Sequence, residues 1–100
     1  MSFIQEQTGY QKTILSDLQG AWSNLLDQVL QLEPSDETKS IVFQIHEATS
    51  WESVRYLTHM RNVFIIIRNK ITKITSEESI EYTLEELAEL LDEAILEYES

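Results

Sequence analysis

Carboxylates dominate the last quarter of the chain. From Ser76 onward the sequence contains no basic residue and the following ten acidic ones: Glu77, Glu78, Glu81, Glu85, Glu86, Glu89, Asp92, Glu93, Glu97 and Glu99. Such a segment repels nucleic acid and anionic membranes, and it attracts basic protein surfaces. The chemistry that it favours is charge-driven recognition of another protein, so we expect neither direct nucleic-acid binding nor membrane binding.

The acidic residues of this segment recur at intervals of about one helical turn. Neighbouring carboxylates at that spacing lie about 5–6 Å apart, and their repulsion costs a helix a few tenths of a kcal/mol per pair. One interpretation is a solvated face that keeps the protein soluble. The other is a partner-binding surface, and a ladder of carboxylates can also imitate nucleic-acid phosphates. The residues predicted to carry this contact are Glu81, Glu85, Glu89, Asp92 and Glu93.

Basic residues are concentrated just before the acidic segment. Between Arg55 and Thr75 there are five of them (Arg55, Arg61, Arg68, Lys70 and Lys73) and no acid. We expect these bases to flank the core and to pair with acids of the next helix. Five bases beside ten acids leave no net positive field for a nucleic-acid groove.

Other reactive residues are few and are not arranged as a catalytic site. The chain has no cysteine, which excludes disulfides, thiolate metal sites and a cysteine nucleophile. His46 and His59 lack the spacing of known metal motifs. We therefore predict a protein that is not an enzyme, with no catalytic residues, no metal and no cofactor.

The elements that must position these residues are long, because the chain has only two glycines and one proline. Apolar residues recur at alternating intervals of three and four, which predicts a helix from about Phe3 to Leu32: Leu15, Leu18, Trp22, Leu25, Val29 and Leu32. Its N-terminal apolar residues (Phe3, Ile4, Tyr10) are a candidate contact for a partner. Pro34 ends this helix, and Ser35 is the predicted N-cap of a short second helix that runs to about Glu47.

The third predicted helix opens with a capping box, Thr49-x-x-Glu52. It contains a second seam of Leu57, Met60, Phe64, Ile67, Ile71 and Ile74. The run Val63–Ile67 is apolar on every side, which predicts the most buried helix. The alternative is an α+β fold with a small sheet built from residues 40–46, 62–67 and 71–75, because these segments are rich in residues that favour strands.

The acidic segment itself has the clearest helical pattern. Its third seam comprises Ile80, Leu84, Leu87, Leu91, Ala94 and Tyr98, and a second capping box is predicted at Thr83-x-x-Glu86. The acids fall mostly opposite the seam, where solvent or a partner would be. We expect this helix to run antiparallel to the preceding one.

One short segment resembles a known family. Arg68-Asn69-Lys70-Ile71-Thr72-Lys73 is similar to the Arg-Asn-x-x-x-His signature of HEPN-type helical ribonuclease domains, and the acidic leucine-rich helix after it also resembles that family. Lys73 occupies the position of the family's catalytic histidine. The resemblance therefore implies, at most, a degenerate helical domain without nuclease activity.

Together these observations predict one all-α domain over residues 1–100, a compact bundle of about four helices of which the second is short. The predicted function is a non-catalytic inhibitor, immunity or adaptor protein that docks on a basic surface of a larger protein, for example one that binds nucleic acid. The alternative is a structural subunit whose heptad seams drive self-association, for instance into a homodimer. No signal peptide or membrane span is visible, so we expect a cytoplasmic protein.

Overall fold

The computed structural model describes residues 13–99, apart from the side chain of Trp51. Within that range the chain forms five α-helices: α1 (Ile14–Leu30), α2 (Asp36–Ala48), α3 (Trp51–Arg55), α4 (Leu57–Ile74) and α5 (Glu78–Tyr98). These residues include no strand, which confirms the all-α prediction. The α+β alternative is wrong, because residues 40–46 lie in α2 and residues 62–67 and 71–74 lie in α4.

Helix α1 begins after Thr13, whose side-chain oxygen accepts a hydrogen bond from the Ser16 N–H at 3.1 Å. The sequence predicts that this helix starts at about Phe3. The first ten residues of the predicted helix, which include Phe3, Ile4 and Tyr10, lie outside the described part of the chain. At the other end α1 stops at Leu30 rather than Leu32. The chain must leave the helical conformation before Pro34, which disfavours helical backbone in the residue that precedes it.

Helix α2 opens on a reciprocal capping box. The Ser35 hydroxyl oxygen accepts from the Thr38 N–H at 3.1 Å, and the Thr38 hydroxyl oxygen accepts from the Ser35 N–H at 2.8 Å. Asp36 and Glu37 lie in the first turn, where negative charge is favourable to the helix dipole. The predicted N-cap is confirmed, and local side-chain chemistry decides where this helix starts.

The predicted third helix is divided into two, which is why the structure has five helices rather than about four. The cap lies at Ser50, whose hydroxyl oxygen accepts from the Ser53 N–H at 3.3 Å, and not at the predicted Thr49. Tyr56 then leaves the helical region, with φ −131° and ψ 90°. The chain turns at this residue, and α4 starts at the next one.

A carboxylate from the far end of α5 caps the start of α4. The Leu57 and Thr58 N–H groups both donate to the Glu99 carboxylate, and the Thr58 hydroxyl donates to it at 2.7 Å. The hydrogen bond from the Thr58 side chain, together with those from the backbone, lowers the pKa of Glu99 against a smaller opposing effect of burial. The ionised form of the Glu99 side chain therefore stabilises the contact between the start of α4 and the end of α5.

Helix α5 starts at Glu78, so the capping box predicted at Thr83 is wrong. Thr83 is buried inside the helix, and its hydroxyl donates to the Ser79 carbonyl oxygen at 3.0 Å. A threonine can bond back to the carbonyl one turn earlier within a helix, so its hydroxyl does not need to mark an N-terminus.

The helices enclose one core in which α1 packs mainly on α5, and α2 packs mainly on α4. Trp22 lies at the centre of it. Its ring meets the Phe64 ring edge-on, with centroids 6.0 Å apart, and its indole N–H donates to the Met60 sulfur at 3.3 Å. Contacts from Thr58 to Glu99 and from Arg61 to Asp92 show that α4 and α5 run antiparallel, as predicted.

The seams predicted from the sequence are largely the core, but not at every position. The middle of each seam is buried, whereas Leu15, Ile74 and Tyr98 at seam ends, and Leu30 beside the first seam, are exposed. The run Val63–Ile67 predicted the most buried helix, but α4 is not enclosed on every side, because Ile65 and Ile66 face outward. No helix packs on that side of α4 in the described part of the chain.

Gly20 offers a test of the α1 assignment. It is exposed within α1, and a Cβ at this position would meet no atom within 4 Å. We expect Gly20→Ala to raise the free energy of unfolding by about 0.5–1 kcal/mol, because alanine loses less backbone entropy in a helix. Urea unfolding measures this. Gly20→Pro should instead destabilise by about 3 kcal/mol, and equal stability of all three proteins would contradict the helix.

The cap formed by Glu99 predicts a pH-dependent contribution to stability. Because its pKa is lowered in the folded state, the contribution is present above the ordinary pKa of the group and is lost as the pH falls through the lowered value. At neutral pH we expect Glu99→Gln to cost about 0.5–1 kcal/mol, the lower half of the usual range for a cap, because the group is exposed.

Thermal unfolding across pH 2–7 checks this expectation. The gap between the parent protein and Glu99→Gln should close at the acidic end, where both side chains are neutral. Glu97→Gln is the matched control, since Glu97 is exposed in the last turn of α5. A gap that does not change with pH would contradict the cap.

Candidate functional site

The outward face of α5 carries the residues that the sequence singled out. All five predicted contact residues are exposed. At about 100° of rotation per residue, Glu81, Glu85, Glu89 and Asp92 fall within an arc of about 80°, and Glu93 lies about 40° beyond it. We call these five residues the acidic face. They form one stripe along the helix, as predicted.

The opposite side of α5 holds this stripe in place. Leu87, Leu91 and Ala94 have no exposed surface, and Ile80 is 1% exposed. They pack into the core that α1 and α4 share, so the orientation of the helix about its own axis is fixed. The carboxylates on the outward side are therefore presented by a rigid element and not by a loop.

The neighbouring bases neutralise only a small part of the acidic face. One salt bridge forms among residues 13–99, between Arg61 Nη1 and Asp92 Oδ1 at 3.4 Å, with both side chains substantially exposed. Exposed pairs of this kind contribute about 0–1 kcal/mol and leave the surrounding field largely intact. The prediction that the bases pair with acids of the next helix is thus confirmed for Arg61.

Two of the other bases make different contacts. The Arg68 guanidinium lies 5.5 Å from the centroid of the Phe64 ring, a cation–π arrangement. Lys70 Nζ donates to the Ser40 hydroxyl oxygen at 2.9 Å, which ties α4 to α2. In the described part of the chain, Glu81, Glu85, Glu89 and Glu93 consequently have no ion-pair partner, and the face remains strongly negative.

Two apolar side chains lie within the acidic face, and sequence reasoning missed both. Tyr82 is 70% exposed and Leu96 is 69% exposed. They lie about 100° and 60° around the helix from Glu81, which places them among the carboxylates and not at the edge of the core. The same helical spacing that located the acids would have located them. Tyrosine at a protein interface supplies a large apolar contact and a hydroxyl that can hydrogen-bond.

A separate concavity lies elsewhere on the molecule. It is an apolar groove of about 300 Å³ between α1 and the α3–α4 junction, lined chiefly by Leu15, Trp22, Leu26, Val54, Leu57 and Met60. Among the described residues, no acidic or basic side chain lines this groove. The acidic face lies on a different part of the surface, along α5.

The segment that resembles the HEPN signature forms part of the second half of α4. Arg68 lies on the Phe64 ring, while Lys70 and Lys73 line a shallow cleft against Asp36 and Glu37 at the start of α2. His59 is exposed near the opposite end of α4, so no histidine accompanies Arg68 and Asn69 in this segment. In this segment of α4 the structure thus brings bases close to acids of α2. The catalytic histidine of the ribonuclease family has no counterpart in the segment.

Comparisons with known proteins return no relative. No protein-family model matches the chain, and no curated protein and no solved structure is significantly similar to it. The resemblance to HEPN domains accordingly rests on the short segment in α4 and the acidic helix after it. Among residues 13–99, His, Asp and Glu side chains form no group of three that could hold a metal ion, and no helix is long and apolar enough to cross a membrane.

Proposed function

We propose that this protein is a non-catalytic interaction module, of the inhibitor, immunity or adaptor kind, which docks the acidic face of α5 on a basic surface of a larger protein. The observation that carries the proposal is the position of the carboxylates and the lack of counter-charges beside most of them. They lie in a stripe on a helix that is anchored by its buried side, and four of the five have no ion-pair partner in the described part of the chain.

The free energy of the isolated protein gains nothing from this arrangement. Like charges one turn apart destabilise a helix by a few tenths of a kcal/mol per pair. A surface that only kept the protein soluble could carry acids and bases interspersed, which avoids that repulsion. The cost is offset in a complex, where a basic partner supplies the missing counter-charges.

Charge complementarity alone gives fast association and orientation more than affinity. Tyr82 and Leu96 supply what the carboxylates lack, because burying an apolar side chain contributes about 1.5–3 kcal/mol. Tyrosine is enriched among the few residues that dominate binding energies. The acidic face therefore combines steering charges with two exposed apolar side chains, one near each end of the stripe.

The partner is best described by its chemistry. A row of carboxylates about 5–6 Å apart matches a groove or helix face rich in arginine and lysine. Basic surfaces of that kind occur on proteins that bind nucleic acid, and a protein that occupied such a surface would compete with the phosphate backbone. This class of partner fits an inhibitor or an immunity protein.

The first test is the salt dependence of the complex combined with reversal of the charges. Affinity capture with the tagged protein, followed by mass spectrometry, identifies the partner, and calorimetry with the purified pair measures affinity. We expect affinity to fall steadily between 50 and 500 mM salt, because screening weakens charge-driven association. The triple variant Glu81→Lys, Glu85→Lys, Glu89→Lys should lose at least about 100-fold in affinity, or roughly 2.7 kcal/mol.

The matched control reverses three exposed acids on other parts of the surface. Asp27→Lys, Glu33→Lys, Glu47→Lys changes the net charge equally but leaves α5 intact. This control variant should reduce affinity for the partner only slightly, through the change in the net charge of the protein. If both triple variants weaken binding to the same extent, then net charge and not the acidic face governs the complex, and the proposal fails.

Tyr82→Ala tests the apolar anchor separately. Because Tyr82 is largely exposed, we expect the unfolding free energy to change by less than about 0.5 kcal/mol. Affinity for the partner should nevertheless fall about 10-fold or more, with the change mainly in the dissociation rate. Tyr56→Ala is a suitable control, since that tyrosine is also exposed but lies at the other end of α5 from Tyr82, next to Leu57, which bonds to Glu99. Equal effects of the two substitutions would exclude Tyr82 as an anchor.

A further inference from the structure

The apolar groove between α1 and the α3–α4 junction is left partly open by the described part of the chain. Its walls include Leu15 and Val54, which are 37% and 39% exposed although both side chains are apolar. The polar side chains that line it, those of Gln19, Ser23 and Thr49, carry no charge. An uncharged apolar segment could therefore bury these walls without taking any charge of the described lining out of water.

The groove starts close to the point where the chain enters α1. Thr13, the N-cap of α1, has an extended backbone with φ −99° and ψ 165°, so the helix axis is not continued before this residue. Among the α1 residues that line the groove, Leu15 comes first and Leu26 comes last, about 17 Å further along the helix. The twelve residues that precede Thr13 are therefore attached beside the near end of the groove.

The composition of residues 1–12 matches the chemistry of the groove. The segment includes the aromatic and aliphatic side chains of Phe3, Ile4 and Tyr10. Its one acid, Glu6, and its one base, Lys12, cancel, in a chain whose net charge is −11. The remaining polar residues of the segment are glutamines and hydroxyl residues, which can hydrogen-bond with the uncharged polar groups of the groove. The strongly acidic protein therefore does not repel this segment.

The segment is also long enough to follow the groove. An extended chain spans at most about 3.3–3.6 Å per residue. Tyr10 comes three residues before Thr13, so its Cα stays within about 11 Å of Thr13 and can reach the near end, beside Leu15. Ile4 comes nine residues before Thr13, which gives it a reach of about 30 Å and brings the far end at Leu26 within range.

We propose that residues 1–12 bind in this groove of their own chain, with Tyr10 at the near end and with Phe3 and Ile4 towards Leu26. Burial of the three side chains against the apolar walls supplies the favourable free energy. Because the segment is covalently attached beside the groove, its effective concentration there is in the millimolar range, so even weak contacts hold it. The bound segment closes the groove to other apolar ligands.

Nuclear Overhauser contacts in the full chain test where the segment lies. We expect contacts from the Tyr10 ring to the Leu15 methyl groups and from the Phe3 ring to the Leu26 methyl groups. Val54→Asp should remove most of their intensity, because the segment would then have to desolvate a carboxylate. Ile65→Asp is the matched control, since Ile65 is 38% exposed and lies on the outward surface of α4. Circular dichroism confirms that both variants are folded.

A neutral apolar dye, N-phenyl-1-naphthylamine, tests whether the segment closes the groove. Its lack of charge makes its binding insensitive to the acidity of the protein. We expect the double variant Phe3→Ser, Ile4→Ser to bind the dye at least about tenfold more tightly than the parent protein. The reason is that the apparent affinity of a ligand is reduced by the fraction of molecules whose site is not available.

Two controls connect the dye signal to the segment and to the groove. Gln5→Ser, Gln7→Ser changes the same number of residues in the segment but keeps its apolar side chains, and it should bind the dye as the parent protein does. Adding Val54→Asp to the variant Phe3→Ser, Ile4→Ser should abolish the gain in dye binding, because the carboxylate is introduced into the wall of the groove.

Several results would overturn the proposal. Absence of contacts between the Phe3 and Tyr10 rings and the groove would do so, and so would equal dye binding by the parent protein and Phe3→Ser, Ile4→Ser. Contacts that arise only between labelled and unlabelled molecules in a mixed sample would place the segment in a second copy, which also contradicts it. The charge-reversal variants of α5 change neither the segment nor the groove, so a failure of the acidic face to bind would concern the proposed function alone.

Discussion

The burial of the apolar side of α5 is the constraint on which the rest of the structure depends. Leu87, Leu91 and Ala94 lose all contact with solvent. Each of the two leucines contributes up to about 1.5–3 kcal/mol, far more than the few tenths of a kcal/mol that repulsion between neighbouring carboxylates costs. The helix therefore forms in spite of its charge. Once the apolar side is fixed in the core, the carboxylates can only point outward.

The same burial explains how the other helices are arranged. Trp22 from α1 and Phe64 from α4 meet edge-on in the core, and the Trp22 indole N–H donates to the Met60 sulfur. The bases of α4 are then left at the borders of the core, where they contact a ring, a hydroxyl or one carboxylate. Within the described residues only Arg61 forms a salt bridge with the acidic face, while Arg68 lines a shallow cleft beside Glu85 and Glu89.

Two surfaces of opposite character result from this arrangement. The acidic face of α5 is charged, extended and interrupted by Tyr82, which suits a partner of different composition. The outward surface of α4 is apolar at its centre, with Ile65 and Ile66 partly exposed, and it carries no acidic residue.

The sequence by itself determined the helical class and the position of the acidic face, because both depend on periodicity within one helix. Ser35 likewise identified its helix start, since a capping box is a local interaction. The break at Tyr56 and the cap from Glu99 could not be predicted, because Glu99 reaches α4 only after the chain has folded back. The exposure of Ile65 and Ile66 was also decided by the tertiary structure. An apolar run shows that a helix can be buried on every side, but the number of neighbours that actually pack around it depends on how the whole chain is arranged.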